Sequence, residues 1–218
     1  MRISELSATS GVPLPTVKYY LREGLLPAGE RTARNQAEYG PEHLARLRLI
    51  RALTEVGRLS IADARAVLAA SDDPRLPLND VMGAAHDAVT RRAAPNRGEP
   101  AWNDARAVVL DMAWQRGWHI EGHCPALDQA ADAVAAVLAA DMPELYPLIE
   151  VYFDAVEPLA RQEVEAVLSM ESPDQIVRGV VIGTILGESL FNALRLLAQQ
   201  NVSTKLLEPG KASGNPGA

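Results

Sequence analysis

The stretch SGVPLPTVKYYLREGLLP, from Ser10 to Pro27, leaves the backbone few courses. Gly11 accepts backbone angles that other residues resist, and Pro13 cannot continue a helix. A first helix over Ile3–Thr9 must therefore stop and turn here. Pro15 suits the opening of a second helix, which Gly24 and Pro27 end. Inside that helix Val17 and Leu21 lie four apart and share a face, which packs on Ile3 and Leu6. Its other sides carry Thr16, Lys18, Tyr19, Tyr20 and Arg22. A small interior has little use for so many polar tips. The spacing is that of a helix-turn-helix whose second helix is free to enter a major groove. The plainer alternative is an amphipathic hairpin with a solvated face.

The next thirteen residues favour the helix-turn-helix. Ala28–Gly40, AGERTARNQAEYG, holds Arg31, Arg34, Asn35, Gln36 and Tyr39 and almost nothing apolar. Beside a helix-turn-helix, such a loop reads as a wing along a phosphate backbone. The Arg fork suits phosphate and a Tyr hydroxyl adds a neutral contact. Pro41 then opens a helix whose apolar residues, Leu44, Leu47, Ile50, Leu53 and Val56, step by threes to Gly57. Ser60-Ile61-Ala62-Asp63 is a capping-box pattern opening another helix through Leu68. Charge agrees with this division. The chain is net −7 over 218 residues, but residues 1–70 hold ten Lys/Arg against seven Asp/Glu, a balance of +3. A basic module that meets a polyanion and an acidic body that does not would have this asymmetry.

Three segments in order, ISELSATSGVPLPTVKYYLREGLLP, then RTARNQAEY, then LARLRLIRALTEVGRLSIADARAVL, resemble the MerR family of bacterial transcription regulators. The resemblance covers residues 1–70. It implies a winged helix-turn-helix with the second helix in the major groove. Lys18 would donate to guanine O6/N7 or to a phosphate. Thr16 stands at the helix N-terminus, where an anion is favoured. Of Tyr19 and Tyr20, one hydroxyl would meet phosphate while the other ring packs on the wing. Arg31, Arg34 and Tyr39 would hold the backbone, with Arg22 on the same surface. Two departures stand out. Asn35-Gln36-Ala37 replaces the usual Gly-Tyr-Arg, which leaves Arg34 or Asn35 to substitute for the missing arginine. Pro13 stands where a Ser or Thr cap is usual. The resemblance further implies a homodimer on double-stranded, pseudo-palindromic promoter DNA. It would distort the spacer so that RNA polymerase is reached through the DNA.

Residues 71–98 combine a Pro/Asp linker with a helix capped by Asn79 and running to about Ala93. The resemblance makes this a dimerisation helix, although its apolar set (Val81, Met82, Ala85, Val89) is thin. Residues 99–201 read as a helical bundle: Trp102–Arg116, Leu127–Ala140, Glu144–Ser169 and Pro173–Gln200. The expected fold class is all-α with a small β wing. Gly179, Gly183 and Gly187 each cost about 1 kcal/mol against Ala in a helix. Their stripe implies close approach of another helix, within the subunit or across a dimer axis. Residues 202–218 are expected to be a disordered tail.

Trp102, Trp114, Trp118, Tyr146 and Tyr152, with Glu150 nearby, suggest a pocket for a small organic, even cationic, effector. The bland account is an ordinary core, and larger family members often bind effectors in this half. The alternative function is an effector-independent architectural or developmental DNA-binding protein whose C-terminal domain serves only oligomerisation. His119, His123 and Cys124 are too interrupted by Gly122 and Pro125 for an expected metal site, and no cofactor is expected. No nucleophile–base motif or phosphate loop suggests an enzyme. No uninterrupted apolar run approaches the ~20 residues of a membrane span, and Glu188, Asn192 and Arg195 break the most apolar helix. A single cysteine fits a reducing cytoplasm.

Overall fold

The computed structural model describes residues 1–33, 36–90, 97–120 and 124–207. The chain opens with α1 (Ile3–Ser10) and α2 (Leu14–Arg22), followed by a hairpin of β1 (Glu30–Ala33) and β2 (Gln36–Glu38). α3 (Pro41–Arg51) runs into a π-helical turn (Ala52–Val56), and α4 (Ile61–Asp72) and α5 (Leu78–Val89) come next. The second half is helical throughout: α6 (Pro100–Gln115), α7 (Pro125–Ala139), a 3-10 turn (Pro143–Leu145), α8 (Pro147–Leu168) and α9 (Pro173–Leu207).

Local chemistry accounts for the boundaries. Gly11 closes α1 at φ 68°, a left-handed angle that favours glycine. α2 begins one residue earlier than the sequence predicts, with Pro13 as an N-cap that makes no side-chain bond. Ser60 caps α4 by accepting from the Asp63 N–H at 3.2 Å, so the capping pattern acts at its expected place. β1 and β2 pair antiparallel, Arg31 opposite Ala37. The Met1 amino group donates to the Tyr39 carbonyl, and the Tyr39 N–H to the Met1 carbonyl, tying the entry of α1 to the exit of the wing.

Two apolar cores result. The larger joins Leu6, Val17, Tyr20, Leu25 and Tyr39 to Leu47, Ile50, Leu53 and Leu68, then extends through Val81 and Ala85 of α5 to Val181 and Ile185 of α9. The smaller lies between α6 and α7, around Trp102, Val109, Leu127 and Val134, with Phe153 of α8 at its edge. A Cβ on Gly57 would collide with Ile185 and with the Leu53 carbonyl, so α9 rests directly on the turn after α3. The glycine stripe has its explanation within the subunit. Gly179 faces Met170 and Val167, Gly183 faces Val167, and Gly187 faces Glu163, so α8 crosses α9 over these positions.

Of the set expected on a dimerisation helix, Val81 and Ala85 of α5 are buried inside the chain, while Met82 and Val89 are half-buried. Two expectations need correction. The stretch 202–207, expected to be disordered, continues α9 as helix to Leu207, because Val202, Leu206 and Leu207 extend its helical pattern; 208–218 lie outside the described residues. Gln175–Leu207 is also long and apolar enough to cross a membrane by length and composition. Its many Ile, Val, Leu and Ala residues carry the average although Gly, Ser, Thr and charged residues interrupt the run. Val180, Val181 and Ile185 of this helix are nonetheless packed in the protein.

Replacing Ile185 with Ala removes the fully buried side chain that joins the two halves. It is expected to cost about 2–5 kcal/mol, read as a lower urea midpoint.

Candidate nucleic-acid interface

α2 sorts its residues cleanly. Val17 and Tyr20 are buried and Leu21 half-buried, while Pro15, Lys18 and Arg22 are exposed with Tyr19 between them. The outward set falls at i, i+3, i+4 and i+7, one face of the helix. The Arg22 guanidinium lies over the Tyr19 ring, 5.2 Å from its centroid, and 3.5 Å from the Glu23 carboxylate. Lys18 has no acidic partner among the described residues. Thr16 is half-buried, and its N–H is used in a 2.8 Å bond to the Pro13 carbonyl, so its hydroxyl is the group it can offer a partner.

Both rings that sequence placed beside Lys18 and Arg31 as contacts, Tyr20 and Tyr39, are 7% exposed core residues. Tyr20 stands 6.0 Å from Tyr19, and Tyr39 meets His43 edge-on at 5.1 Å. Both rings are packed in the larger core, which makes Tyr20 the packed member of the Tyr19–Tyr20 pair. In the wing, Arg31 is exposed on β1 and has no acidic partner among the described residues. Arg34 and Asn35 lie outside the described residues.

Two arginines that sequence reasoning did not single out fix the pose of α2. Arg46 Nε donates to the Leu25 carbonyl at 2.9 Å, while its other nitrogens hold Asp72 at 2.8 and 2.6 Å. Arg65 Nε donates to the Glu23 carbonyl at 2.8 Å and its Nη2 to the Glu23 carboxylate at 2.6 Å. Both grip the turn that ends α2 and tie it to α3 and α4. Their signal in the sequence was only a helical position facing Leu25 for Arg46 and Glu23 for Arg65, which charge counting misreads as anion-binding capacity.

The aromatic residues of the second half do not converge. Trp102 is core, its Nε1 donating to Asp132 at 2.8 Å beside Arg97, which pairs with the same carboxylate. Trp114 is 59% exposed and Tyr152 51% exposed. Trp118 stacks obliquely on Phe153 at 5.2 Å and donates to Glu157 at 3.3 Å; Tyr146 is half-buried at the start of α8. Arg116 sits over Phe153 at 4.9 Å and binds Glu150 and Asp154. The acidic face expected to receive a cationic effector is thus met by the protein's own guanidinium, and these carboxylates in turn raise the Arg116 pKa. His119 and Cys124 are described and His123 is not; among the described residues no group of three His, Cys, Asp or Glu could hold a metal. An open cleft of about 660 Å³ lies elsewhere, its lining including Arg58, Ser60, Asp63, Gln129, Glu188 and Asn192. There burial pushes the Glu188 carboxyl up.

Residues 1–71 match the MerR HTH family of regulatory proteins. SCO5550 from Streptomyces coelicolor A3(2), assigned as a transcriptional regulator, is 33% identical, with a TM-score of 0.71 over 99% of this chain and 100% of that one. The chain belongs to the MerR family. Other matches cover only part of the chain. Nodulation protein NolA of Bradyrhizobium sp. (strain NC92) is 37% identical over 81 residues, 37% of this chain and 32% of NolA. The mercuric resistance operon regulatory protein of Bacillus cereus is 39% identical over 56 residues, 26% of this chain and 42% of that protein. The chain therefore spans well under half the length of these curated relatives. The MerR family is one of transcription regulators, not enzymes, and the all-helical fold with a two-stranded wing conforms to it.

Arg46→Ala is expected to leave the Leu25 carbonyl without its donor and to cost about 1–3 kcal/mol in denaturant unfolding. Hydrogen exchange of the α2 amides should quicken in the same variant.

Proposed function

We propose that the protein is a cytoplasmic, DNA-binding transcription regulator that acts as a homodimer on a pseudo-palindromic promoter. The observation that carries this reading is the outward face of α2, where Lys18, Tyr19 and Arg22 align while Val17 and Tyr20 anchor the helix. Lys18 faces solvent without a competing carboxylate among the described residues, so its ammonium is available to a guanine edge or a phosphate. Arg31 on the wing and the Thr16 hydroxyl supply backbone contacts in this reading, joined by Arg34 and Asn35, which lie outside the described residues. Two such surfaces give enough contacts for a specific site, where one does not. The dimer distorts the spacer between the promoter elements, with the deformation energy offset by phosphate contacts. RNA polymerase is thereby reached through the DNA.

The helical half is read as an assembly module, because its aromatic residues are dispersed and Arg116 occupies the acidic face of α8. A ligand-responsive reading is favoured by a separate observation. The 660 Å³ cleft is lined by the DNA-binding module and by α9 together. A small polar effector placed there would couple the two halves.

Quantitative binding to promoter fragments tests the proposal. Arg31→Ala is expected to weaken binding to all duplexes alike and to reduce the salt slope by about 1. Lys18→Ala is expected to cost about 1–3 kcal/mol and to relax preference at one base position. A chain that binds no duplex in dilute buffer would refute the reading.

A further inference from the structure

α2 ends on a residue that helix chemistry does not favour. Glu23 is the C-cap, at φ −79° and ψ −3°, where a carboxylate meets the negative end of the helix dipole. It follows Tyr19 by four positions, so it borders the outward face that carries Lys18, Tyr19 and Arg22. An uncompensated anion there opposes DNA binding in two ways. It repels phosphate, and it neutralises the guanidinium beside it.

Two guanidinium groups compete for this carboxylate, and the geometry ranks them. Arg65 of α4 reaches Glu23 Oε2 through Nη2 at 2.6 Å, while its Nε donates to the Glu23 carbonyl at 2.8 Å. A planar donor fork is suited to such a two-point grip. Arg22 stands 3.5 Å from Glu23 Oε1 through its Nε, longer than a good hydrogen bond. Its side chain is 73% exposed and lies over the Tyr19 ring. The carboxylate is therefore taken up by Arg65, and Arg22 keeps its charge toward solvent.

We infer that Arg65 is a positioning residue for DNA binding: by holding the Glu23 carboxylate away from Arg22, it keeps the Arg22 guanidinium available to a phosphate. This rests on the DNA-binding reading above and gives a residue of α4 a part in it. Arg65 itself meets no DNA, and its effect passes through one carboxylate. The Arg65 and Glu23 side chains are 46% and 29% exposed, so their pairing adds little to stability. What the pairing decides is which arginine is left uncompensated. Without the Arg65 fork, Glu23 closes on Arg22, and one phosphate contact is lost.

Salt-dependent binding of the full chain to mixed-sequence duplex DNA tests this, because a phosphate contact registers on any sequence. Arg65→Met is expected to raise the dissociation constant about 5-fold and to reduce the salt slope by about 1, as for one lost phosphate contact. Adding Glu23→Gln to Arg65→Met is expected to restore the slope, because an amide cannot neutralise Arg22. A purely structural role for Arg65 predicts no such rescue, since its bond to the Glu23 carbonyl stays broken, and absence of rescue overturns the inference. A further loss of slope when Arg65→Met is added to Arg22→Ala overturns it as well. Glu23→Gln alone keeps the main-chain bond and is expected to bind no more weakly than the wild type; weaker binding counts against the inference. A readout without DNA is nitrogen NMR of the Arg22 side chain. Its Nε–H is expected to exchange with solvent more slowly in Arg65→Met than in the wild type, and equal rates overturn the inference. A wild type that binds no duplex refutes the proposed function and this inference with it. A wild type that binds, matched by Arg65→Met in affinity and slope, refutes the inference alone.

Discussion

At Gly57 any side chain would collide with Ile185 and with the Leu53 carbonyl, so the turn closing the first half of the chain and the helix closing the second are in direct contact. Most of what the protein presents depends on that seat. Val181 and Ile185 enter the same core as Leu6, Val17 and Leu47, so the DNA-binding module and the start of α9 share one hydrophobic interior rather than meeting as separate globules. Cores of this density move little under load. A displacement of α9 is felt at the turn before α4, whose arginine Arg65 holds the end of α2.

The arginines of the first seventy residues divide into two kinds that composition alone does not separate. Arg46 and Arg65 turn inward to main-chain carbonyls and carboxylates, and Arg51 pairs with Glu55 along its own helix. Arg31 and Lys18 keep their charge facing outward. The positive balance of this region overstates what a polyanion can reach, because part of it orders the protein instead. A planar donor fork suits both tasks equally.

The N-terminal module was legible in the sequence because each of its signals is local. A turn needing Gly11, a four-residue apolar spacing in Val17 and Leu21, and a cap at Ser60 each determine their neighbourhood without help from distant residues. The burial of the Tyr20 and Tyr39 rings was not, since a tyrosine offers the same hydroxyl whether its ring is buried or free, and only tertiary packing tells which of Tyr19 and Tyr20 turns inward. The aromatic pocket failed for a related reason. Trp102 and Trp114 lie on one helix, yet one faces α7 and the other solvent, and the partner that claimed Glu150 and Asp154 was Arg116, a residue that no periodic pattern marks. The end of α9 was misjudged because Gly, Pro and Ser after Leu207 coloured the reading of the helical residues before it.

α9 contains 35 residues, which makes it a rod of about 50 Å fixed near one third of its length by Val181 and Ile185. A lever with its fulcrum there converts angle into distance. Each degree of tilt at the pivot carries the far end, ~33 Å away, through about half an ångström. Small adjustments in the bed around Gly57 are thereby magnified at Leu207, and the magnification runs equally well in reverse.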